Sequence, residues 1–141
     1  KPLLKTAGDE YLLDTGHPVN LRHGWRLQAA LMDDLPENFM QRVQNLDNFT
    51  TWLDYDRMEM PLAVRGRDAG DRWQPLGMEN HTQKLHDFFI NEKVASHLRE
   101  IWPLVCSGDE IAWVVGLRPS EAFKVTEDTR HILRISIRQD Y

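Results

Sequence analysis

The sequence predicts one α+β domain in which antiparallel β-strands dominate, with a sandwich-like arrangement and two or three short helices. Two observations predict this class. Short segments rich in β-branched and aromatic residues alternate with Gly, Pro and Asp turns along most of the chain, and helical periodicity is confined to a few brief stretches. The 141 residues suffice for one sizeable core, and the 41% hydrophobic and 28% charged composition is typical of globular proteins.

The first third of the chain is predicted to be a small β-meander followed by a helix. Residues Trp25, Leu27, Ala29 and Leu31 alternate with polar or small residues, which is the period of a half-buried strand. Strands are predicted at 11–13, 17–21 and 25–31, forming a meander over residues 11–32. Pro36 favours the start of a short helix over 36–45, and β-branched and aromatic residues predict a strand at 49–53.

The remainder of the chain alternates between strands and short helices. Leu85, Phe88 and Phe89 share one helical face, and Thr82 is the expected N-cap of that helix. Leu133, Ile135 and Ile137 share one face of the last strand, which we expect to face the core. The predicted elements are strand 61–65, a helix from 82, a helix at 95–101, a hairpin of 104–106 and 111–115 around a four-residue loop, and strands 122–125 and 131–137. No repeat or linker divides the chain, so residues 1–141 are taken as a single domain.

Catalytic and cofactor chemistry is not expected in this chain. No glycine-rich phosphate loop or dinucleotide fingerprint occurs. The histidine pairs 17/23 and 81/86 lack the spacing of helical zinc ligands, so no metal site is predicted. Cys106 lies in an apolar strand and is expected to be an inert buried thiol. No apolar run approaches the roughly 20 residues that a membrane span requires, so we expect no membrane partner.

One segment, residues 65–89, concentrates cations around turn-forming residues. If the strand ending at Arg65 continues, Arg65 and Arg67 project from the same side, and Gly70 and Asp71 return the chain to Arg72. Three guanidinium groups suit the recognition of phosphate. Alternatively, Asp68 and Asp71 neutralise these arginines in internal salt bridges, and spacing alone favours neither interpretation. The formal net charge of −5 excludes a broadly basic nucleic-acid-binding face, so any polyanion site must be local.

A series of motifs carries a resemblance to a known family. The series comprises Pro61-Leu62-x-x-Arg65, Gly70-Asp71-Arg72, Pro75-Leu76-Gly77, Lys84-Leu85-x-Asp87-Phe88-Phe89, Trp102-Pro103-Leu104-Val105, Ile111-x-Trp113-Val114-x-Gly116-Leu117-Arg118 and Phe123-x-Val125-Thr126-x-x-Thr129. In this order and spacing, residues 50–137 resemble the C-terminal domain of tRNA(Ile)-lysidine synthase, a family of PP-loop ATPases. Residues 1–49 match that family only loosely.

The resemblance implies a fold related to a domain of the phenylalanyl-tRNA synthetase β chain. It also implies that the domain performs no chemistry and grips the acceptor stem of a tRNA. The family's N-terminal PP-loop domain uses ATP and Mg²⁺ to adenylate a wobble cytidine and attach lysine. This chain lacks the SGGxDS loop of that domain, so we interpret it as an inactive C-terminal fragment of a cytoplasmic ligase, with tRNA and its own catalytic domain as partners.

The same resemblance assigns candidate residues. The predicted tRNA contacts are Arg65, Arg67, Arg72, Lys84, Lys93 and Arg118, and the predicted turn-shaping residues are Gly70, Asp71, Pro75 and Gly77. The competing hypothesis is an interaction module that docks on its own catalytic domain, or forms a homodimer, and has no intrinsic affinity for tRNA. In that case the arginines of the turn are bridged internally.

Overall fold

Antiparallel pairing organises the part of the chain that the computed structural model describes, residues 1–32 and 48–140. The strands are β1 (Glu10–Leu13), β2 (Val19–Asn20), β3 (Trp25–Met32), β4 (Thr50–Asp54), β5 (Leu62–Arg65), β6 (Arg72–Trp73), β7 (Gln83–Lys84), β8 (Leu104–Ser107), β9 (Glu110–Val114), β10 (Arg118–Pro119) and β11 (Ile132–Gln139). An α-helix, α1, covers Leu85–Asn91, and short 3₁₀ helices cover Arg22–Gly24, Tyr55–Arg57, Ser96–Ile101 and Glu121–Phe123.

Two sheets pack face to face and a third layer covers one of them. The five-stranded sheet has the order β1-β5-β8-β9-β10, and the four-stranded sheet has the order β2-β3-β11-β4. Leu62, Val64 and Trp113 of the first sheet share a buried cluster with Leu27 and Ile135 of the second. The other face of the five-stranded sheet is covered by α1 and by the two-stranded ribbon β6–β7, through a second cluster that includes Trp73, Phe88, Phe89, Leu104 and Val114. The predicted α+β, sandwich-like class is therefore confirmed.

The period of two predicted in the last strand is present in β11. Leu133, Ile135 and Ile137 are buried, whereas Arg134 and Arg138 point away from the core and are exposed. The hairpin of β8 and β9 is also present, but its loop is shorter than predicted, because Ser107 pairs with Glu110 across a turn of two residues.

The meander predicted over residues 11–32 is wrong. β1 pairs with β5, with Glu10 opposite Arg65 and Leu13 opposite Leu62, and so belongs to the other sheet. Asp14 directs the chain away, because its carboxylate accepts hydrogen bonds from the Gly16 amide at 2.9 Å and the His17 ring at 2.8 Å. Only β2 and β3 pair as expected.

Two further predictions fail near polar side chains. Thr82 does not cap α1, since the N-cap residue is Lys84 without a side-chain hydrogen bond, and the Thr82 hydroxyl instead accepts from Arg72. Residues 122–125 do not form a strand, because the Ser120 hydroxyl caps a 3₁₀ turn by accepting from the Ala122 amide at 3.0 Å. The helix predicted at 36–45 lies outside the described residues. Within those residues, no helix is long and apolar enough to cross a membrane.

Candidate nucleic-acid interface

The turn between β5 and β6 is built around the carboxylate of Asp71. This carboxylate accepts a hydrogen bond from the Asp68 amide at 2.8 Å and another from Nη1 of Arg65 at 2.9 Å. Gly70 precedes it with a φ of +82°, a conformation that glycine adopts without steric cost. The Asp71 carbonyl also accepts from the Leu85 amide at 2.9 Å, which ties the turn to the start of α1. Gly70 and Asp71 thus have the contacts that a turn-shaping role requires.

Arg65 lies inside this turn and not on its surface. Its side chain is 17% exposed, and it pairs with Asp71 at 2.9 Å and with Asp68 at 3.5 Å. Burial lowers the pKa of Arg65, but the hydrogen bond that it donates to Asp71 and the nearby negative charges outweigh burial and leave that pKa raised. Arg65 therefore stays positively charged, and carboxylates of the same turn neutralise it. For this one arginine, the alternative of internal salt bridges applies.

Two other candidate cations also pair with carboxylates. Nη2 of Arg67 lies 2.6 Å from Oε1 of Glu100, and its Nη1 lies 3.5 Å from the ring of His86. Arg118 pairs with Glu92 at 3.2 Å, and its guanidinium lies 5.7 Å from the ring centre of Phe88.

Arg72 and Lys84 differ from these three arginines. They stand directly opposite each other on β6 and β7. Trp73 is buried on the reverse side of the ribbon, while Arg72 and Lys84 are exposed. Nε and Nη2 of Arg72 donate to the Thr82 hydroxyl at 3.1 Å and carbonyl at 3.3 Å, which fixes the guanidinium. Within residues 1–32 and 48–140, no carboxylate forms a salt bridge with either cation.

The loop between β6 and β7 is held against the neighbouring strand β10 and the turn after it. Pro75, Leu76 and Gly77 form a turn closed by the Met78 amide, which donates to the Pro75 carbonyl at 2.9 Å, and Gly77 has a φ of +95°. The Gly77 amide donates to Glu121 at 3.1 Å. The hydrogen bonds that the Glu121 carboxylate accepts, first from Lys124 and then from the Gly77 amide, lower the pKa of Glu121. Pro75 and Gly77 therefore belong to the anchor of the ribbon that presents Arg72 and Lys84.

A cleft of about 480 Å³ brings some of the predicted residues together. Its walls include Arg67, Arg72 and Lys84, and also His86 and Glu100. Arg65 is not among its lining residues, and Lys93 and Arg118 lie towards the other end of α1, beside Glu92. Sequence reasoning missed Glu100 and His86, since neither belongs to the local cluster of cations, and no sequence signal joined Glu100 to a residue 33 positions away.

Features that could support chemistry are scarce in the described residues. Cys106 is 1% exposed, and burial raises the pKa of its thiol to about 11, in agreement with the predicted inert thiol. Among the same residues, no group of three His, Cys, Asp or Glu side chains is arranged to hold a metal ion.

Comparison with known proteins agrees with the resemblance inferred from the motifs. The family model described as "TilS substrate C-terminal domain" matches residues 62–137. The tRNA(Ile)-lysidine synthase of Clostridium tetani is 36% identical over 128 residues, covering 91% of this chain and 26% of that protein. The tRNA(Ile)-lysidine synthase of Caldanaerobacter subterraneus is 45% identical over 91 residues, covering 64% of this chain and 19% of that protein. The chain thus spans about a quarter or less of the length of these relatives.

Solved structures show the same relationship. A crystal structure of a TilS C-terminal domain matches with a TM-score of 0.74 and 25% identity, covering 93% of this chain and 98% of that one. An N-terminal fragment of the phenylalanyl-tRNA synthetase β-subunit from Pyrococcus horikoshii matches with a TM-score of 0.63 and 16% identity, covering 79% of this chain and 38% of that one. This second structure shares the fold. Because the family model covers more than half of it, the chain belongs to the family of tRNA(Ile)-lysidine synthase C-terminal domains.

Proposed function

We propose that this domain binds the acceptor stem of a tRNA through Arg72 and Lys84. In this proposal it belongs to a cytoplasmic tRNA(Ile)-lysidine synthase, and it holds the tRNA while an ATP-dependent N-terminal domain attaches lysine to the wobble cytidine. The domain contributes binding and no catalytic group. Its partners are then the tRNA and its own catalytic domain.

The observation that carries the proposal is the pair of opposed cations on the β6–β7 ribbon. Like charges directly opposite each other in an antiparallel pair destabilise the pair. Arg72 and Lys84 nevertheless occupy register partners, and the described residues supply neither with a carboxylate. A phosphate group beside the ribbon would relieve this repulsion. The Nη1 of Arg72 makes no hydrogen bond to the described residues and is available to such a group.

For the remaining cations, the expected strength of the tRNA contact depends on whether a carboxylate of the domain already pairs with the side chain. Lys93 is exposed beyond the C-terminal end of α1, away from the ribbon, and we expect it to contact a separate phosphate. Arg67 and Arg118 each share a carboxylate, so we expect weaker contacts from them. Arg65 is assigned to holding the turn. Contacts should be to phosphate and ribose, because the deep, narrow major groove of A-form RNA hides its base edges from side chains.

The test is tRNA binding by the chain and by the variant Arg72→Glu/Lys84→Glu, measured by fluorescence anisotropy over a series of salt concentrations. Each lost phosphate contact should reduce the slope of log affinity against log salt by about 0.7 to 0.9. The double variant should therefore lose about 1.5 or more of that slope and at least about tenfold in affinity at low salt. Arg130→Glu reverses the charge of another exposed arginine and should change binding far less. Equal losses in both variants, or none in the double variant, would contradict the proposal.

The interaction-module alternative keeps some support, because Arg65, Arg67 and Arg118 are paired internally. It predicts no measurable tRNA affinity for the chain alone and, in its dimeric form, a dimer whose stability does not depend on salt. Sedimentation velocity at low and high salt distinguishes it from the proposal, which requires salt-sensitive tRNA binding.

A further inference from the structure

The outer face of the four-stranded sheet carries a second group of cations, far from the β6–β7 ribbon. Residues of β3 and β11 that alternate with the buried core positions point away from the other sheet. Three of them are Arg26, Arg134 and Arg138, which we call the arginine face. The ribbon and α1 lie on the opposite side of the sandwich, because they cover the far surface of the five-stranded sheet.

Within the described residues, the arginine face has no acidic partner in salt-bridge contact. Arg26 stands directly opposite Arg138 in the β3–β11 register. Arg134 lies on β11 four residues before Arg138. Nε of Arg26 donates to the Asn20 amide oxygen at 3.2 Å. No carboxylate among the described residues forms a salt bridge with any of the three. Two arginines opposite each other repel, so the bare face is electrostatically unfavourable.

The neighbouring outward side chains indicate what kind of partner fits. Between the arginines lie Gln28, Ala30 and Ser136, which are small or can form hydrogen bonds. None of the exposed large hydrophobic side chains of the described residues occupies these positions. Apolar side chains occur at one end of this face, where Trp52, opposite Arg134, packs with Met32 against Ile132. The core of a protein–protein interface is usually apolar and depleted of charge, and the three arginines do not fit such a core. A phosphodiester backbone, in contrast, is recognised by guanidinium, amide and hydroxyl donors.

We propose that the arginine face is a second RNA-binding surface, which contacts the sugar–phosphate backbone. Arg134 and Arg138 are separated by about 13 Å along their strand, which is far enough for them to contact two different phosphate groups. Because two packed sheets separate this face from Arg72 and Lys84, the same short helical segment cannot contact both surfaces. The arginine face therefore contacts a different part of the tRNA from the segment bound at the ribbon. The inference rests on the proposed function in taking tRNA as the ligand.

The experiment compares a labelled tRNA transcript binding to the 141-residue chain and to three variants over a salt series. The variants are Arg26→Gln/Arg134→Gln/Arg138→Gln, the same three positions changed to Lys, and Arg72→Glu/Lys84→Glu. The affinity of the glutamine variant should be about tenfold lower at low salt. Its slope of log affinity against log salt should be smaller in magnitude by about 2 to 3. The lysine variant keeps the charges and should retain the slope. Arg130→Gln, which removes an exposed arginine just outside β11, serves as the control for loss of a single positive charge.

The outcomes separate this inference from the proposed function. If only the ribbon variant weakens binding, the arginine face is not an RNA surface, whereas the proposed function stands. If only the glutamine variant weakens it, the arginine face stands and the assignment of Arg72 and Lys84 fails. If neither variant weakens binding, both the inference and the proposed function fail.

A further measurement tests the kind of partner. If the parent chain binds polyglutamate as tightly as tRNA, and the glutamine variant weakens both equally, the partner is an acidic protein instead. Thermal unfolding monitored by circular dichroism checks folding, and Arg134→Gln alone replaces the triple variant if that variant is unfolded.

Discussion

Replacing Asp71 with Asn should destabilise the domain by about 2 kcal/mol. The change keeps an oxygen that can accept from the Asp68 amide, but it removes the charge opposite Arg65. Both side chains of the Arg65–Asp71 pair are 17% exposed, and their atoms lie 2.9 Å apart. Exposed pairs are worth about 0.2 to 1 kcal/mol, whereas breaking a fully buried pair costs about 3 to 5 kcal/mol. A mostly buried pair with good geometry belongs between these limits.

The assay is urea unfolding followed by tryptophan fluorescence, supported by thermal unfolding. For a domain of this size, a loss of about 2 kcal/mol lowers Tm by roughly 6 to 8 °C. Asp68→Asn is the matched control, because Asp68 is 77% exposed and lies 3.5 Å from the same guanidinium. It should cost less than about 0.5 kcal/mol. In a double-mutant cycle with Arg65→Met, the coupling energy should be at least about 1 kcal/mol.

The opposite pattern would refute the structural role of Arg65. If Asp71→Asn and Asp68→Asn have the same small effect on the free energy of unfolding, Arg65 does not depend on Asp71. Its guanidinium would then be available to phosphate, as first predicted from the sequence. In that case Arg65→Met should weaken tRNA binding without changing stability.

Three other predictions follow from individual backbone and side-chain environments. Lys93 has a φ of +59° where the chain leaves α1, so Lys93→Gly should raise the free energy of unfolding by about 0.5 to 1 kcal/mol in urea titrations. Gly66→Ala should cost about 2 kcal/mol or more by the same measurement, because its Cβ would lie 2.6 Å from the Glu100 carbonyl. Gly70→Ala, with open space around it, should cost about 1 kcal/mol from its positive φ alone. The protonated thiol of Cys106, with a pKa raised to about 11, stabilises the fold fully below about pH 9 and loses this contribution as pH rises through its folded pKa. The decline in urea midpoint between pH 8 and pH 11 should therefore be smaller in Cys106→Ala than in the parent chain.

Elements that depend on local patterns could be predicted, whereas pairings over long distances could not. The β8–β9 hairpin, α1 and the alternation of β11 arise from residues within a few positions of one another. β1 was predicted to pair with its neighbour, but its partner β5 lies about fifty positions later, with Glu10 opposite Arg65. Alternation specifies which face of a strand is buried, but several strands with the same alternation compete as its neighbour.

The same distinction applies to the candidate site. The sequence placed Asp68 and Asp71 beside three arginines and left open which cations they neutralise. In the structure, Asp71 meets Arg65, Arg67 reaches Glu100 from another element, and Arg72 is held by Thr82. The choice depended on side-chain directions after the turn closed, which charge counting along the chain cannot supply. The internally bridged interpretation therefore applies to Arg65 and Arg67, whereas phosphate recognition stays a proposal for Arg72.

A net charge of −5 is compatible with the proposed binding to a polyanion, because the effect of each charge falls with its distance from the bound phosphate. Each acid that pairs with Arg65, Arg67, Arg118 or Lys124 cancels one positive charge as well, so these pairs leave the net charge unchanged, and the distance of each remaining charge from the phosphate decides its effect. At physiological ionic strength the field of a solvent-exposed charge is screened over about 8 Å, and the two surfaces lie on opposite sides of two packed sheets. A phosphate beside the β6–β7 ribbon or the arginine face therefore senses mainly the unpaired cations nearest to it. For the same reason, charge changes at the two surfaces should act independently, and their effects on the free energy of tRNA binding should add.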